Sequence, residues 1–480
     1  MLVVAHVPHP TALPTEAPMT STLSPSALRA ALHGTSLVLT PLDEGFVAAH
    51  QIRPGGVDAV PDAVDRPTDA AGVARAVRFA ADHGLELAVR SGGHSALGRG
   101  RRPGALVLDV RGLDDVQVDR AARRATAGGG VTAGAYTAAT TQHGLITPFG
   151  DAGTVGVAGI TLGGGVGFLS RRLGMTIDSL HSARVVTADG QVRTASAQEH
   201  PDLFWALRGG GGNFGVVTEL TFDTHEIGTV VGGPLILPAT PTTVAGVVAT
   251  LRQAPRELTA IVMVMVAPPV PFLPEEAHGR LVVMVNLCWS GGVDDADAAL
   301  APLRALGEQA GGIIADLVAP GPYIGLLEGP DGPPMAMHNR SFYADDVDEA
   351  AAADILDALG SSTAMMRVVQ LRVLGGAVAD VPTGATAYAH RDAPITGVVA
   401  AAEPTAEAVA EHVDWVADVA DRVRRGRHGA YANFVMDGDP TLLAQAYPGD
   451  TGRRLAEAKA TYDPTNLFRS NLNVLPAGHD

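Results

Sequence analysis

The sequence predicts an α+β fold in two unlike halves. Up to about residue 226, short apolar strands alternate with helices and are joined by glycine-rich turns. Beyond that point longer strands and helices follow one another with few such turns, as in an antiparallel sheet covered by helices. A chain of 480 residues also exceeds what one ordinary core organises.

In order, residues 24–32 read as a first helix with proline at its start. Residues 68–83 form a second: Val73, Val77 and Ala80 mark one apolar side, Thr68 or Asp69 caps it, and Gly84 ends it. Leu85, Leu87 and Val89 alternate as a short strand that runs into the turn Arg90-Ser91-Gly92-Gly93-His94-Ser95. Two adjacent glycines let backbone N–H groups approach a ligand, and an imidazole stands just beyond them. Residues 105–110 and 125–130 are further strands, and 131–143 a helix.

The stretch 149–167 interleaves apolar residues with more glycine than a packed core needs, which suits backbone laid against a large flat ligand. Its end, Gly163-Gly164-Gly165-Val166-Gly167, superficially suggests a dinucleotide loop. A Rossmann turn instead closes the first strand of its domain, opens a full helix and has an acid about twenty residues on. Here the run lies deep in the chain and only a short helix, 168–174, follows. A third glycine run, Gly209 to Gly212, leads through Gly215 and Val216 into a strand ending at Phe222. Three such turns between Arg90 and Thr218 imply one extended ligand touched by backbone at several points.

In the second half, residues 260–266, 280–286, 367–373, 385–390 and 396–401 read as strands, and 295–311, 347–360 and 405–424 as helices. Near the end, Asp463-Pro464 stops a helix through Lys459, the only lysine. Asn471 and Asn473 point the same way if that segment is extended. The expected division is a tail at 1–45, partly disordered, a first domain at 46–226, a second at 227–425, and a segment at 426–480 that returns to the first.

Composition excludes several classes. With 51 acidic against 34 basic residues the net charge is −17, which disfavours nucleic acid and anionic membranes as partners. The longest apolar run, 261–273, is broken by Pro268, Pro269 and Pro271 and is too short to span a bilayer. The first residues lack the pattern of a signal peptide, so a cytoplasmic location is expected, with Met19 a second candidate start. The one cysteine, Cys288, lies in an apolar strand and reads as structural. Neither a His-Glu-x-x-His pair, a paired-cysteine motif nor a Gly-x-Ser-x-Gly elbow is present, so no metal site and no hydrolase is expected.

Taken in order, Arg90 to Ser95, Thr154-Val155-Gly156-Val157-Ala158-Gly159, Gly163 to Gly167, residues 201–218, Tyr462 to Phe468 and Asn471-Leu472-Asn473 resemble the berberine-bridge-enzyme-like FAD-linked oxidases of the vanillyl-alcohol-oxidase type. The likeness runs from about Pro61 to Val474. It implies a two-part FAD-binding domain and a substrate domain whose antiparallel sheet is covered by helices. It also implies a flavin bonded through His94 and cradled by Arg90, Ser91, Gly92, Gly93, Ser95, Thr154, Val155, Gly159, Gly163, Gly164, Gly167, Gly215, Val216, Asn471 and Asn473. Many relatives add a second link through a cysteine just before Thr-Val-Gly-Val. Ala152 stands there, so a single link is expected. Val155 takes the place of the family's oxygen gatekeeper, and a small residue there favours an oxidase.

By the same resemblance Tyr431 lies over the flavin, as base or as pocket wall. A phenol with a pKa of about 10 needs a nearby cation or the flavin's own field to act as base. Relatives often carry a Glu or Gln base on the strand after a His-Arg pair; after His390-Arg391 this chain has Val398 and Val399. Tyr388, Tyr343 and Arg340 are further pocket candidates. The expected activity is hydride transfer from a small alcohol, amine or phenolic secondary metabolite to FAD, with O2 as acceptor and H2O2 as product. A flavin-containing drug-binding protein and a sugar oxidase are the alternatives.

Overall fold

A computed structural model of the chain describes residues 25–32, 34, 36–52, 60–95, 105–327, 335–436 and 439–479. The expected disorder before residue 25 and the alternative start at Met19 lie outside the described residues.

Three large sheets, beside a two-stranded pairing of Leu145–Ile146 with His225–Glu226, organise the described residues. In the first, Glu86–Arg90 and Ala63–Pro67 flank the wholly buried strand Ala105–Asp109 in parallel, and Ser36–Leu39 adds an antiparallel edge. Helix Ala70–Asp82 covers it through Val73, Ala76, Val77 and Ala80. Asp69 caps that helix by accepting from Gly72 N, and Gly84 follows it at φ +63°. In the second sheet Arg124–Gly128, Val216–Asp223 and Leu180–Val186 are the inner strands of an antiparallel array. Its core includes Tyr136, Phe149 and Phe222, which meet edge to face.

The third sheet has eight strands. Val230–Pro238, Leu281–Trp289, Leu258–Val266, Met366–Val373, Ile395–Glu403 and Ala336–Ala344 lie side by side, all antiparallel. Alternate residues such as Val262, Val285, Leu371 and Val399 bury one face beneath helices Pro241–Gln253, Ala296–Gln309, Glu349–Ser361 and Val413–Arg424. The opposite face turns toward the first half of the chain. The C-terminal helix Asp450–Tyr462 and the segment after it pack back on the first half, Leu455 and Val474 in one core and Leu467 and Phe468 in another. Among the described residues no helix is long and apolar enough to cross a membrane.

Two element expectations are corrected. Residues 385–390 form no strand. Their alternating pattern is buried by long-range contacts instead: Tyr388 N donates to Arg208 O, and Trp205 Nε1 donates to the neighbouring Gly384 O. Residues 405–424 are two helices, Ala406–Ala410 and Val413–Arg424, and at the break His412 Nε2 lies 3.3 Å from a Glu403 carboxylate oxygen.

Candidate functional site

The three glycine-rich turns meet, and backbone contact is what joins them. A Cβ on Gly92 would sit 2.2 Å from Gly156 N, so the turn after strand Glu86–Arg90 lies flat on the 154–156 loop. Ser91 Oγ donates to Gly129 O at 2.8 Å, and His94 Nε2 lies 2.9 Å from Thr154 Oγ1. Helix Val157–Gly163 starts at Gly156, and the carbonyl of its Leu162 accepts from both Gly209 N and Gly211 N. The third turn reaches the chain's end, where Asn471 Nδ2 donates to Gly212 O and Phe468 O, both at 3.0 Å.

The residues expected to cradle a cofactor divide by environment. Gly159 is exposed with open space where a side chain would be, and Gly212 is nearly as open. The amide oxygens of Asn471 and Asn473 are buried without a hydrogen-bond partner. Ser95 is half-buried beside His94. Open glycines, orphaned acceptors and a histidine on one continuous seam fit a long ligand that carries N–H donors, as FAD does.

Other expected contacts are taken by the protein itself. Arg90 is 6 % exposed and donates to the carbonyls of Ala49 and Gln51, so it braces the turn, with its guanidinium beneath Gly93. A side chain on Gly167 would strike Phe149 O and one on Gly215 would strike Val186 O, and Val216 is buried with Val186 and Phe468. Packing accounts for these three. Gly163 gives its space to Asn433, and Gly164, at φ +132°, to Met175, Tyr388 and Tyr431.

Tyr431, Tyr388 and Tyr343 form one buried cluster. Tyr343 Oη donates to Tyr388 Oη at 2.9 Å, and Tyr388 meets Tyr431 edge to face at 5.9 Å. The Tyr431 oxygen accepts from Gly165 N at 2.9 Å and Asn433 Nδ2 at 3.1 Å. Burial pushes the Tyr431 phenol above its ordinary pKa; the two donors and the Arg372 charge offset only part of this. Tyr343 and Tyr388 are raised as well, first by burial. All three are neutral phenols near pH 7.

Arg340 does not join them. Strand alternation sets it with Phe342 and Ala344, on the opposite face from Tyr343, and it lies 3.6 Å from an Asp439 carboxylate oxygen. The cation near Tyr431 is Arg372, 4 % exposed and bonded to Asp151 at 2.8 Å and to Gln370. Val398 does face the cofactor half, and its cross-strand neighbours there are Ser341 and Gln370. Asp151, Gln370, Arg372 and Asn433 were not singled out from the sequence. Asn433 alone had a signal, its place two residues after Tyr431.

Comparison with known proteins shows the family and the fold. The model of the FAD binding domain family matches residues 61–196, and that of the berberine and berberine-like family matches residues 430–475. The (R)-6-hydroxynicotine oxidase of Paenarthrobacter nicotinovorans is 33% identical over 465 residues, 92% of this chain and 97% of that one. The crystal structure of 6-hydroxy-D-nicotine oxidase from Arthrobacter nicotinovorans superposes with a TM-score of 0.81 at 29% identity, covering 92% of this chain and 98% of that one. A glucooligosaccharide oxidase structure from Acremonium strictum, described as carrying a 6-S-cysteinyl, 8α-N1-histidyl FAD, shares the fold with a TM-score of 0.82 at 24% identity, over 94% of this chain and all of that one. The chain belongs to the berberine-bridge-enzyme-like FAD-linked oxidases.

Proposed function

We propose that this FAD-linked oxidase removes a hydride from a carbon bearing a hydroxyl or amino group of a small organic substrate, passes the electrons to O2 and releases H2O2. The flavin is bonded once, through His94. Residues 46–226 and 426–480 hold the cofactor, and 227–425 hold the substrate. The observation that carries the reading is one seam joining His94, open Gly159 and the orphaned oxygens of Asn471 and Asn473, with Tyr431 one short helix away.

When bound, FAD supplies the hydride acceptor and the site of reaction with O2. The protein's own groups do the rest. His94 anchors, with Thr154 fixing its ring at 2.9 Å. Gly165 N and Asn433 Nδ2 point two N–H groups at the Tyr431 oxygen, where they stabilise negative charge if the phenol gives up its proton. Gln370 and Arg372, tied to Asp151, close the adjoining end of the large sheet. Single attachment is supported by Ala152 at the place where a second link would form. Cys288 is buried in strand Leu281–Trp289, its thiol pushed up to about 12 by burial. The nicotine and sugar oxidases among its relatives support an alcohol or amine carbon as the point of attack.

The test is acid precipitation of the purified protein. Yellow absorbance should stay with wild-type polypeptide and wash out of His94→Ala. Flavin released from the wild type would end the covalent reading, and a protein that binds no flavin would end the oxidase reading itself.

A further inference from the structure

The face of the large sheet turned toward the cofactor half has a composition that narrows the substrate, given the oxidase reading above. Directly opposed residues in antiparallel strands share a face, so the register gives its layout. Tyr343, Thr396 and Arg372 form one row, and Ser341, Val398, Gln370 and Met263 the next. This end meets the cofactor half, for Tyr431 N donates to Ser341 Oγ at 3.1 Å and Arg372 holds Asp151.

Moving away from the tyrosines, the face becomes apolar. The third row is Asn339, Ala400, Val368 and Met265, and the fourth is Met337, Ala402 and Met366. Met337 and Met366 are 42% and 49% exposed, although both stand on strands of an otherwise well-buried sheet. On one side of this floor Val270 and Leu273 of the proline-rich loop share one apolar cluster with Met263 and Met265. Phe272 at its tip is 46% exposed. Flexible methionines and small aliphatics suit an apolar ligand of adaptable shape.

Polar capacity in these outer rows comes down to Asn339, whose amide oxygen is buried without a hydrogen-bond partner. It can accept one N–H or O–H. A sugar brings many hydroxyls, each costly to bury against Met265, Val368 and Ala400 without a partner.

We propose that this face holds the apolar body of a small substrate carrying one hydroxyl or amino donor, which Asn339 receives, and that it does not accommodate oligosaccharides. Met265 and Val368 set the fit of the body, and Asn339 sets the direction of the donor.

Calorimetric titration of the purified full-length protein tests this without relying on turnover. The probes are primary n-alkanols from propanol to heptanol, their methyl ethers, and cellobiose. Affinity should rise about fourfold per methylene as apolar surface is buried. Alkanols should bind about fivefold more tightly than their ethers, and cellobiose should give no heat of binding. Met265→Gln and Val368→Asn should flatten the chain-length series, and Asn339→Leu should erase the alcohol-over-ether preference. Met366→Gln, at a half-exposed position, gives a second reading of the series if an inner variant fails to fold.

A flat series in the wild type, or cellobiose binding more tightly than heptanol, would overturn the inference and leave the oxidase reading intact. A protein without flavin that still shows the series would do the reverse.

Discussion

At the scale of single residues, Tyr431 and Asn433 carry the sharpest question. Burial lifts the phenol of Tyr431, so its anionic form is scarce at neutral pH even with two N–H donors aimed at it. If Tyr431 accepts the substrate's proton, the active form is the phenolate. Its fraction grows tenfold per pH unit below the raised pKa. On this basis kcat/KM should climb through the alkaline range without reaching a plateau at pH 10. Tyr431→Phe should remove that limb and lower kcat/KM by about 10²- to 10⁴-fold. Asn433→Leu takes away one donor to the anion, so it should move the limb to still higher pH while leaving its slope unchanged. A limb that survives Tyr431→Phe would assign the proton acceptor elsewhere. The sequence named Tyr431 through its motif, but not its partners. Gly165 lies 266 positions away in the chain, and Arg372 is linked to the site by a bond to Asp151, so no local pattern could have announced either.

Among elements, those read correctly from the sequence are the ones whose period or punctuation is local. Helix Ala70–Asp82 has a capping aspartate, an apolar stripe and a closing glycine, and strand Glu86–Arg90 leads straight into its turn. Residues 385–390 alternate as a strand would, yet no ladder claims them, because the backbone there bonds to the 204–208 region. The face on which Arg340 stands was equally hidden, since strand phase becomes visible only with Phe342 seated in the core. The C-terminal helix Asp450–Tyr462 shows what holds the cofactor end in shape. Lys459, wholly buried, donates to Asp463 at 2.7 Å, Asn213 O at 2.8 Å and Phe468 O at 2.9 Å. Asp463 in turn accepts from Leu467 N and Phe468 N, which folds the segment bearing Asn471 and Asn473. Lys459→Met would strand a buried carboxylate at a cost of about 3–5 kcal/mol. The urea midpoint should fall accordingly. Lys459→Met with Asp463→Asn should recover part of the loss, because no charge is then left unpaired. A single variant with an unchanged midpoint would mean that the segment folds without this pair.

For the whole molecule, the issue is how the cofactor half and the large sheet are kept in register, since hydride transfer needs the Tyr431 corner and the sheet face on the same substrate. Guanidinium groups bridge them. Arg372 reaches Asp151, and Arg391 grips both oxygens of Asp178 at 2.6 and 2.8 Å. Arg171, on the short helix Ser170–Leu173, is the most committed. It is 5% exposed and donates to the backbone carbonyls of Leu258, Leu374 and Ala254 at 3.0, 2.5 and 2.8 Å, all on the other side. Its own carbonyl lies so close to Gly376 that a Cβ there would sit 2.2 Å away. Arg171→Met therefore removes the donors for three carbonyls and leaves them in a space that water reaches poorly. The expected loss is on the order of 3 kcal/mol or more. Flavin absorbance follows the cofactor half during heating, while far-UV circular dichroism follows the whole chain. In the wild type the two transitions should coincide. In Arg171→Met they should separate, because the halves keep their own cores but lose the tie between them. A variant that melts earlier with both signals still superimposed would show that Arg171 stabilises one cooperative unit, and the remaining bridges at Arg372 and Arg391 would then be sufficient to join the halves.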